Sequence, residues 1–363
     1  MPVKPILSFE QGTAQYRAYQ LVGWVVFAAF VIWLPFKANE QDAGLFSDSM
    51  AFAVAVMGLN IVTGLSGQVS LGHSAFMGTG AFTTAILVAD HNWSFFATVP
   101  IAALLCFAVG VVVGVPALRL KGLYLALATL GLSIIFPKVV EKYGFTGGTN
   151  GKRLGRKRLV PPEWTHLDQQ SDRHIWIYFV ILSFTVVLFV LARNLVRSRP
   201  GRALIALRDN PIGAEVSGVN LALYKVIAFG LSAAYAGIAG SLLMFNSDIA
   251  SGSSYSLNRS IALITGLVLG GLATIVGPVI GGVIVVWLPK LIEDRIHGDD
   301  PRDKSWSTIV YGASLIAIMF IYPGGLASLV RTIRSKLVTI RPRIPTRRGP
   351  SPEEIDVEAV TAG

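Results

Sequence analysis

Two stretches of this chain carry residue types and spacings that could do chemistry, and in both it is the chemistry of binding and movement. The first is Asn60 to His73, NIVTGLSGQVSLGH. Asn60, Thr63, Ser66, Gln68, Ser70 and His73 are polar without charge, and Gly64, Gly67 and Gly72 interrupt the run. Unwound backbone at membrane depth is tolerated only inside protein or along a watery path. Broken helices can also aim their ends at charged groups of a substrate. A short capped turn accounts for the same residues, and for the individual side chains, His73 above all, capping or packing is the plainer reading. The second stretch is Gly201 to Gly240, entered through Arg193, Arg197, Arg199 and Arg202. Its centre reads as two short helices, Arg202 to Asp209 and Pro211 to Ser217. Asn210 suits the N-cap of the second, Pro211 its first position, and Gly218 the left-handed turn that ends it. Such a basic, capped loop suits docking of a cytosolic partner, although cytoplasmic loops are commonly basic for other reasons.

Other chemistry is missing from the sequence. Gly144 to Gly155, GFTGGTNGKRLG, is not a phosphate loop: three residues rather than four lie between Gly147 and Gly151, and no strand precedes them. There is no zincin motif, no nucleophile elbow and no paired intramembrane carboxylate, so the chain offers neither catalytic residues nor metal ligands. Any nucleotide hydrolysis, with its ATP and Mg, belongs to a partner, and the chain itself binds no cofactor. Cys106 is the single cysteine and lies in an apolar run, which excludes a disulfide framework.

The elements that must hold these stretches are membrane helices. Of 363 residues 53% are hydrophobic and 14% charged, and mean hydropathy is +0.59, whereas a soluble domain carries about 25% charged residues. The charges collect between long uncharged runs, so the fold class is an all-α polytopic membrane protein. The formal charge of +10 follows from basic loops and a basic tail beside membrane lipid, not from a nucleic-acid partner. No cleavable signal peptide is evident.

After polar residues 1–19, about ten spans are expected: 21–36, 50–65, 73–88, 95–115, 123–136, 175–192, 224–245, 260–275, 278–292 and 307–322. The eighth and ninth, 260–275 and 278–292, come from splitting a long apolar run at Gly270, Gly271, Gly277 and Pro278. Residues 20–330 form the membrane domain, and 331–363 a tail expected to lack order, basic at first and acidic at its end. The basic loop 193–223 and the tail belong in the cytoplasm, and so does the N-terminus. Connections 37–49 and 290–306 are net acidic and fall outside. Loop 137–174 must also be external although it holds eight basic and four acidic residues. No span carries Lys, Arg, Asp or Glu near its centre, which argues against a proton-driven antiporter, a voltage sensor or a redox pump. Gly78 and Gly80, Gly237 and Gly240, Gly266 and Gly270, and Gly281 and Gly282 are expected to let helices approach closely.

Four motifs together resemble a known family. They are GLNIVTGLSGQVSLGHSAFMGTGAFTTAIL (58–87), FTGGTNG (145–151), GRALIALRDNPIGAEVSGVNLALYKVIAFGLSAAYAGIAGSL (201–242) and VLGGLATIVGPVIGG (268–282). They are similar to the LivM-type permeases of branched-chain amino acid ABC importers, and the similarity covers roughly residues 20–330. The resemblance implies a multi-pass protein of the bacterial inner (plasma) membrane, without enzyme activity of its own. It implies a LivH-type permease partner, two cytosolic ATPases and an external substrate-binding protein. It makes Arg202, Arg208, Asp209, Asn210, Pro211, Glu215 and Gly218 the ATPase-coupling residues. Asn60, Thr63, Gly64, Gln68, Ser70, Gly72 and His73 become candidates for the substrate path, and Thr146, Gly147, Gly148, Asn150 and Gly151 an external loop. Two features depart from the family: the basic run Lys152, Arg153, Arg156, Lys157 and Arg158, expected to be solvated, and Pro211, at a position often acidic. A permease for urea or short-chain amides shares the motifs. An ATP-independent transporter or channel, or a membrane scaffold, would leave the coupling segment without a task.

Overall fold

The computed structural model describes residues 7–10, 14–120, 122–154, 159–165, 168, 172–295, 301–322, 324–329, 332 and 338–341. The chain divides into two units. One comprises Met1–Trp33 and Val330–Gly363, the other Leu34–Leu329.

In the first unit, β1 (Leu7–Glu10) pairs in parallel with β4 (Val338–Arg341), Leu7 opposite Val338, and α1 (Ala14–Lys37) begins. Apart from Thr332 and β4, the tail expected to lack order lies outside the described residues.

The second unit is helical, as uncharged runs of this length require where no water is present to satisfy backbone groups. Its apolar helices are α2 (Glu40–Leu59), α3 (His73–His91), α4 (Phe95–Ala117), α5 (Leu123–Lys142), α6 (Arg173–Arg197), α9 (Leu221–Asn246), α10 (Leu257–Gly270), α11 (Gly277–Glu293) and α12 (Pro301–Ile321). With α1, each expected span overlaps a helix, although the one expected over 260–275 ends at Gly270, where a non-helical turn begins. Between α6 and α9 lie the short α7 (Arg199–Asp209) and α8 (Pro211–Val216). Among the described residues, five helical segments are long and apolar enough to cross a membrane: Glu40–Leu65, Phe95–Ala117, Leu123–Lys142, Arg173–Arg197 and Leu221–Asn246. α10 has 14 residues, about 21 Å of helix against a hydrocarbon core of about 30 Å. It and α11 form a broken pair packed on α2.

Several boundaries differ from expectation. The stretch 37–49, expected as a connection, is mostly helix. Asn39 caps α2 by accepting from the Asp42 N–H at 2.7 Å. Glu40 and Asp42 fill its first turn, where the helix dipole favours carboxylates, so the acidic charge marks a helix start. α5 runs through Pro137 to Lys142 rather than stopping at Phe136. α7 starts at Arg199 rather than Arg202, because the Ser198 hydroxyl caps it and Pro200 fits its first turn.

Glycine sets the helix spacing. A β-carbon on Gly80 would lie 2.0 Å from the Gly237 carbonyl oxygen, and one on Gly240 only 1.8 Å from that of Met77. These contacts seat α3 against α9. Gly266 and Gly281 bring α10 to α11 in the same way, and Gly282 brings α11 to Ala53 of α2.

The helices define two ends of this unit. At one, Asn246 donates to Asp48 (3.1 Å) and Arg173 to the Phe245 carbonyl (3.3 Å). Lys290 pairs with Asp42 (2.8 Å) there, and β2 (Lys152–Arg153) pairs with β3 (Ile249–Ala250). The 25 residues of α6, about 37 Å of helix, separate that end from α7 and α8. The basic loop after α5 therefore lies at the end opposite the 198–220 segment.

Candidate functional site

The 198–220 segment is built from its own capping residues. The Asn210 side chain accepts from the Gly213 N–H at 3.0 Å, Pro211 opens α8, and Gly218 takes φ +84°. Gly201 is required where α7 turns against α6, since a β-carbon there would lie 2.1 Å from the Leu195 carbonyl oxygen. Leu204 and Leu207 bury one face of α7. Arg202, exposed, donates to the Arg197 carbonyl (2.9 Å) and finishes α6. Asp209, Asn210, Pro211, Glu215 and Gly218 are exposed around α8. So are Ile212 and Val216, at 76% and 85% exposure. These two residues lie one helical turn apart, an apolar tip on a basic loop that sequence reasoning missed, although their i, i+4 spacing is the signal that could have shown it.

The Asn60–His73 stretch is not simply unwound. Asn60–Leu65 continues α2 as a π-helix, the rare wide turn that often marks a functional position. Asn60 latches the break between α10 and α11: its side chain donates to the Thr274 carbonyl and accepts from the Ala273 N–H, both at 2.8 Å. Gly64 gives room for that latch, because a β-carbon there would lie 2.0 Å from Asn60 Oδ1. The Thr63 hydroxyl donates to the Gln68 carbonyl (3.1 Å), and the Gln68 amide to the Ser66 hydroxyl (2.8 Å). Gln68 Oε1 and Ser70 Oγ are buried with no hydrogen-bond partner among the described residues. His73 is buried at the start of α3 and donates from Nε2 to the Ala55 carbonyl (3.0 Å), so it joins α3 to α2. Gly72 lies against α5; a β-carbon there would be 2.8 Å from the Thr129 carbonyl oxygen.

The two stretches meet. Arg208 Nη1 of α7 donates to the Gly64 carbonyl at 2.8 Å, and its guanidinium also holds Asp209 (2.9 Å). Gly67, at φ +72°, leaves space for the Arg208 side chain. Sequence reasoning also missed a buried hydroxyl cluster behind this contact. Ser133 donates to the Leu71 carbonyl (2.6 Å), and the Leu71 N–H to Thr129 (2.9 Å). Ser260 accepts from the Ser74 N–H (2.9 Å). These hydroxyls tie the turn before α3 to α5 and α10. They sit singly in apolar runs, with no pattern to single them out.

The motif FTGGTNG is a compact knot. Gly147, Gly148 and Gly151 take positive φ. The buried Thr146 hydroxyl donates to the carbonyls of Val140 and Tyr143. Gly151 lies against Ala250, and Asn150 is exposed. Lys152, expected to be solvated, pairs with Asp90 at 2.7 Å and its side chain is 16% exposed. Arg153 is exposed, and Arg156, Lys157 and Arg158 lie outside the described residues.

Residues 43–319 match the family described as branched-chain amino acid transport system / permease component. The chain belongs to this family. The high-affinity branched-chain amino acid transport system permease protein LivM of Escherichia coli K12 is 30% identical over 346 residues, 90% of this chain and 79% of that protein. LivH of the same organism is 24% identical over 303 residues, 76% of this chain and 90% of LivH. A probable LivH of Methanocaldococcus jannaschii is 27% identical over 248 residues, 64% of this chain and 70% of that one. No solved structure matches. The chain is thus a multi-pass membrane transport component.

Proposed function

We propose that this chain is one of two permease subunits of an ATP-driven importer of branched-chain amino acids. Its partners are a LivH-type subunit, two cytosolic ATPases and an external binding protein. The 198–220 end faces the cytoplasm together with both termini, and ATP and Mg stay on the ATPases. The exposed Ile212 and Val216 dock into an ATPase, amid exposed Arg199 and Arg202. Closure of the two ATPases moves α7 and α8. Movement reaches the substrate path through the guanidinium of Arg208 on the Gly64 carbonyl, the observation that carries this reading. That carbonyl sits in the π-helical turn whose Asn60 latches the α10–α11 break, so one displacement can alter α2, α10 and α11 together. Buried Gln68 Oε1 and Ser70 Oγ offer polar groups along that path. ATP supplies the work, which suits spans without central charge.

Co-expression with the ATPases and the second permease tests it. Ile212→Glu with Val216→Glu places two carboxylates on the docking tip. The expected result is loss of ATPase co-purification and of ATP-driven leucine uptake, with the second permease still bound. ATPases that remain bound would refute the docking. Uptake of urea in place of leucine by the intact complex would refute the substrate.

A further inference from the structure

Asp48 and Arg259 stand at the end of the bundle opposite α7 and α8. Asp48 lies on α2 nine residues from its first residue, Glu40, counting both. Arg259 lies in the first turn of α10. Both are half-buried. The Arg259 guanidinium reaches the face of α2 that carries Asp48, yet the two form no ion pair among the described residues. Each is held by something else. Asp48 Oδ1 accepts from Asn246 at 3.1 Å. Arg259 Nε donates to the Ser254 carbonyl at 3.1 Å, and its guanidinium lies 4.9 Å from the centre of the Phe52 ring. Phe52 follows Asp48 by one helical turn on the same face of α2, and Tyr255, in the short turn just before α10, is buried.

Opposite charges held near each other but apart, over aromatic walls, are costly to keep in a low dielectric unless something bridges them. We propose that the pair receives the head group of a zwitterionic α-amino acid as it enters the permease. The carboxylate is met by the free guanidinium nitrogens of Arg259 and the ammonium by Asp48. The hydrocarbon side chain lies against Phe52 and Tyr255. Charge complementarity of this kind selects for a molecule carrying both signs. The inference rests on the amino-acid reading above and adds where, and by which groups, the substrate is recognised.

The test uses the complete complex in detergent, without binding protein, and radiolabelled L-leucine as the probe. Competitors are leucinamide, which lacks the carboxylate, and 4-methylpentanoate, which lacks the ammonium. Arg259→Gln and Asp48→Asn are each expected to weaken leucine binding about tenfold or more. Arg259→Gln should bind leucinamide as well as leucine, and Asp48→Asn should bind 4-methylpentanoate as well as leucine. Arg259→Lys keeps the charge and should fall between. Wild-type affinity and discrimination in both variants would overturn the inference while leaving the importer reading intact. Loss of the second permease from both variants would also overturn it, assigning the pair to subunit contact. A wild-type complex that binds urea and not leucine would remove the reading on which it rests.

Discussion

Replacing Arg208 by alanine removes a side chain that joins α7 to the π-helical turn of α2. It deletes the 2.8 Å bond to the Gly64 carbonyl and leaves Asp209 without its guanidinium. A hydrogen bond to a charged group contributes about 1.5–3 kcal/mol. The Arg208 side chain keeps 34% of its exposure, so water replaces part of the interaction, and about 1–2 kcal/mol is the expected loss. That is about 5- to 30-fold in the balance between joined and released arrangements of the loop. The assay is the complex in proteoliposomes, with leucine transported per ATP hydrolysed. Hydrolysis and ATPase binding should persist, because Ile212 and Val216 are untouched, while the transport ratio falls by that factor. Arg208→Lys should lie between, since a single ammonium lacks the planar fork that reaches Gly64 and Asp209 together. A ratio within about twofold of wild type in Arg208→Ala, set against the factor above, would refute the linkage.

Further outcomes follow from the packing. Gly240→Ala forces a methyl to 1.8 Å from the Met77 carbonyl oxygen and should cost about 1–3 kcal/mol, read as a lowered unfolding midpoint in detergent. Gly131→Ala meets nothing within 4 Å and should leave that midpoint unchanged or raise it; equal effects would show that the α3–α9 approach is misplaced. Asn60→Ala strands the Thr274 carbonyl and the Ala273 N–H and should cost about 2–4 kcal/mol, while raising the reactivity of a cysteine placed at Thr274. Asn60→Asp keeps the acceptor for the Ala273 N–H but sets a buried carboxylate oxygen against the Thr274 carbonyl, and should cost at least as much. For Lys152 and Asp90, 16% and 42% exposed in their side chains, a double-alanine cycle should give a coupling of about 0.5–1.5 kcal/mol. No coupling would mean that the basic run is solvated from its first residue.

Much of the site was legible because capping is local chemistry. Asn210, Pro211 and Gly218 announce α8 through groups within a few residues of one another, and the helix starts and stops there. The glycines at 270–277 likewise announce the α10–α11 break. Charge misled where it had two meanings. Glu40 and Asp42 read as a loop and are a helix start. Lys152 read as solvated, because its partner Asp90 lies beyond α5 and α4 in the chain. The hydroxyls of Ser74, Ser133 and Ser260 were invisible, since lone serines in apolar helices carry no period.

The sequence alone determined that the chain is a bundle of apolar helices with a capped, basic loop and a polar, Gly-broken turn. Hydropathy, caps and glycine act over a few turns of backbone, so their effects can be read in order along the chain. Only the tertiary structure decided that loop and turn touch, through residues 144 positions apart, and that Asp48 and Arg259 share one end. Those meetings depend on which helices approach closely enough, and that is decided by the fit of particular glycines to particular carbonyls, such as Gly80 to Gly237 and Gly240 to Met77. Such a fit has no period, and no window of sequence contains both of its halves.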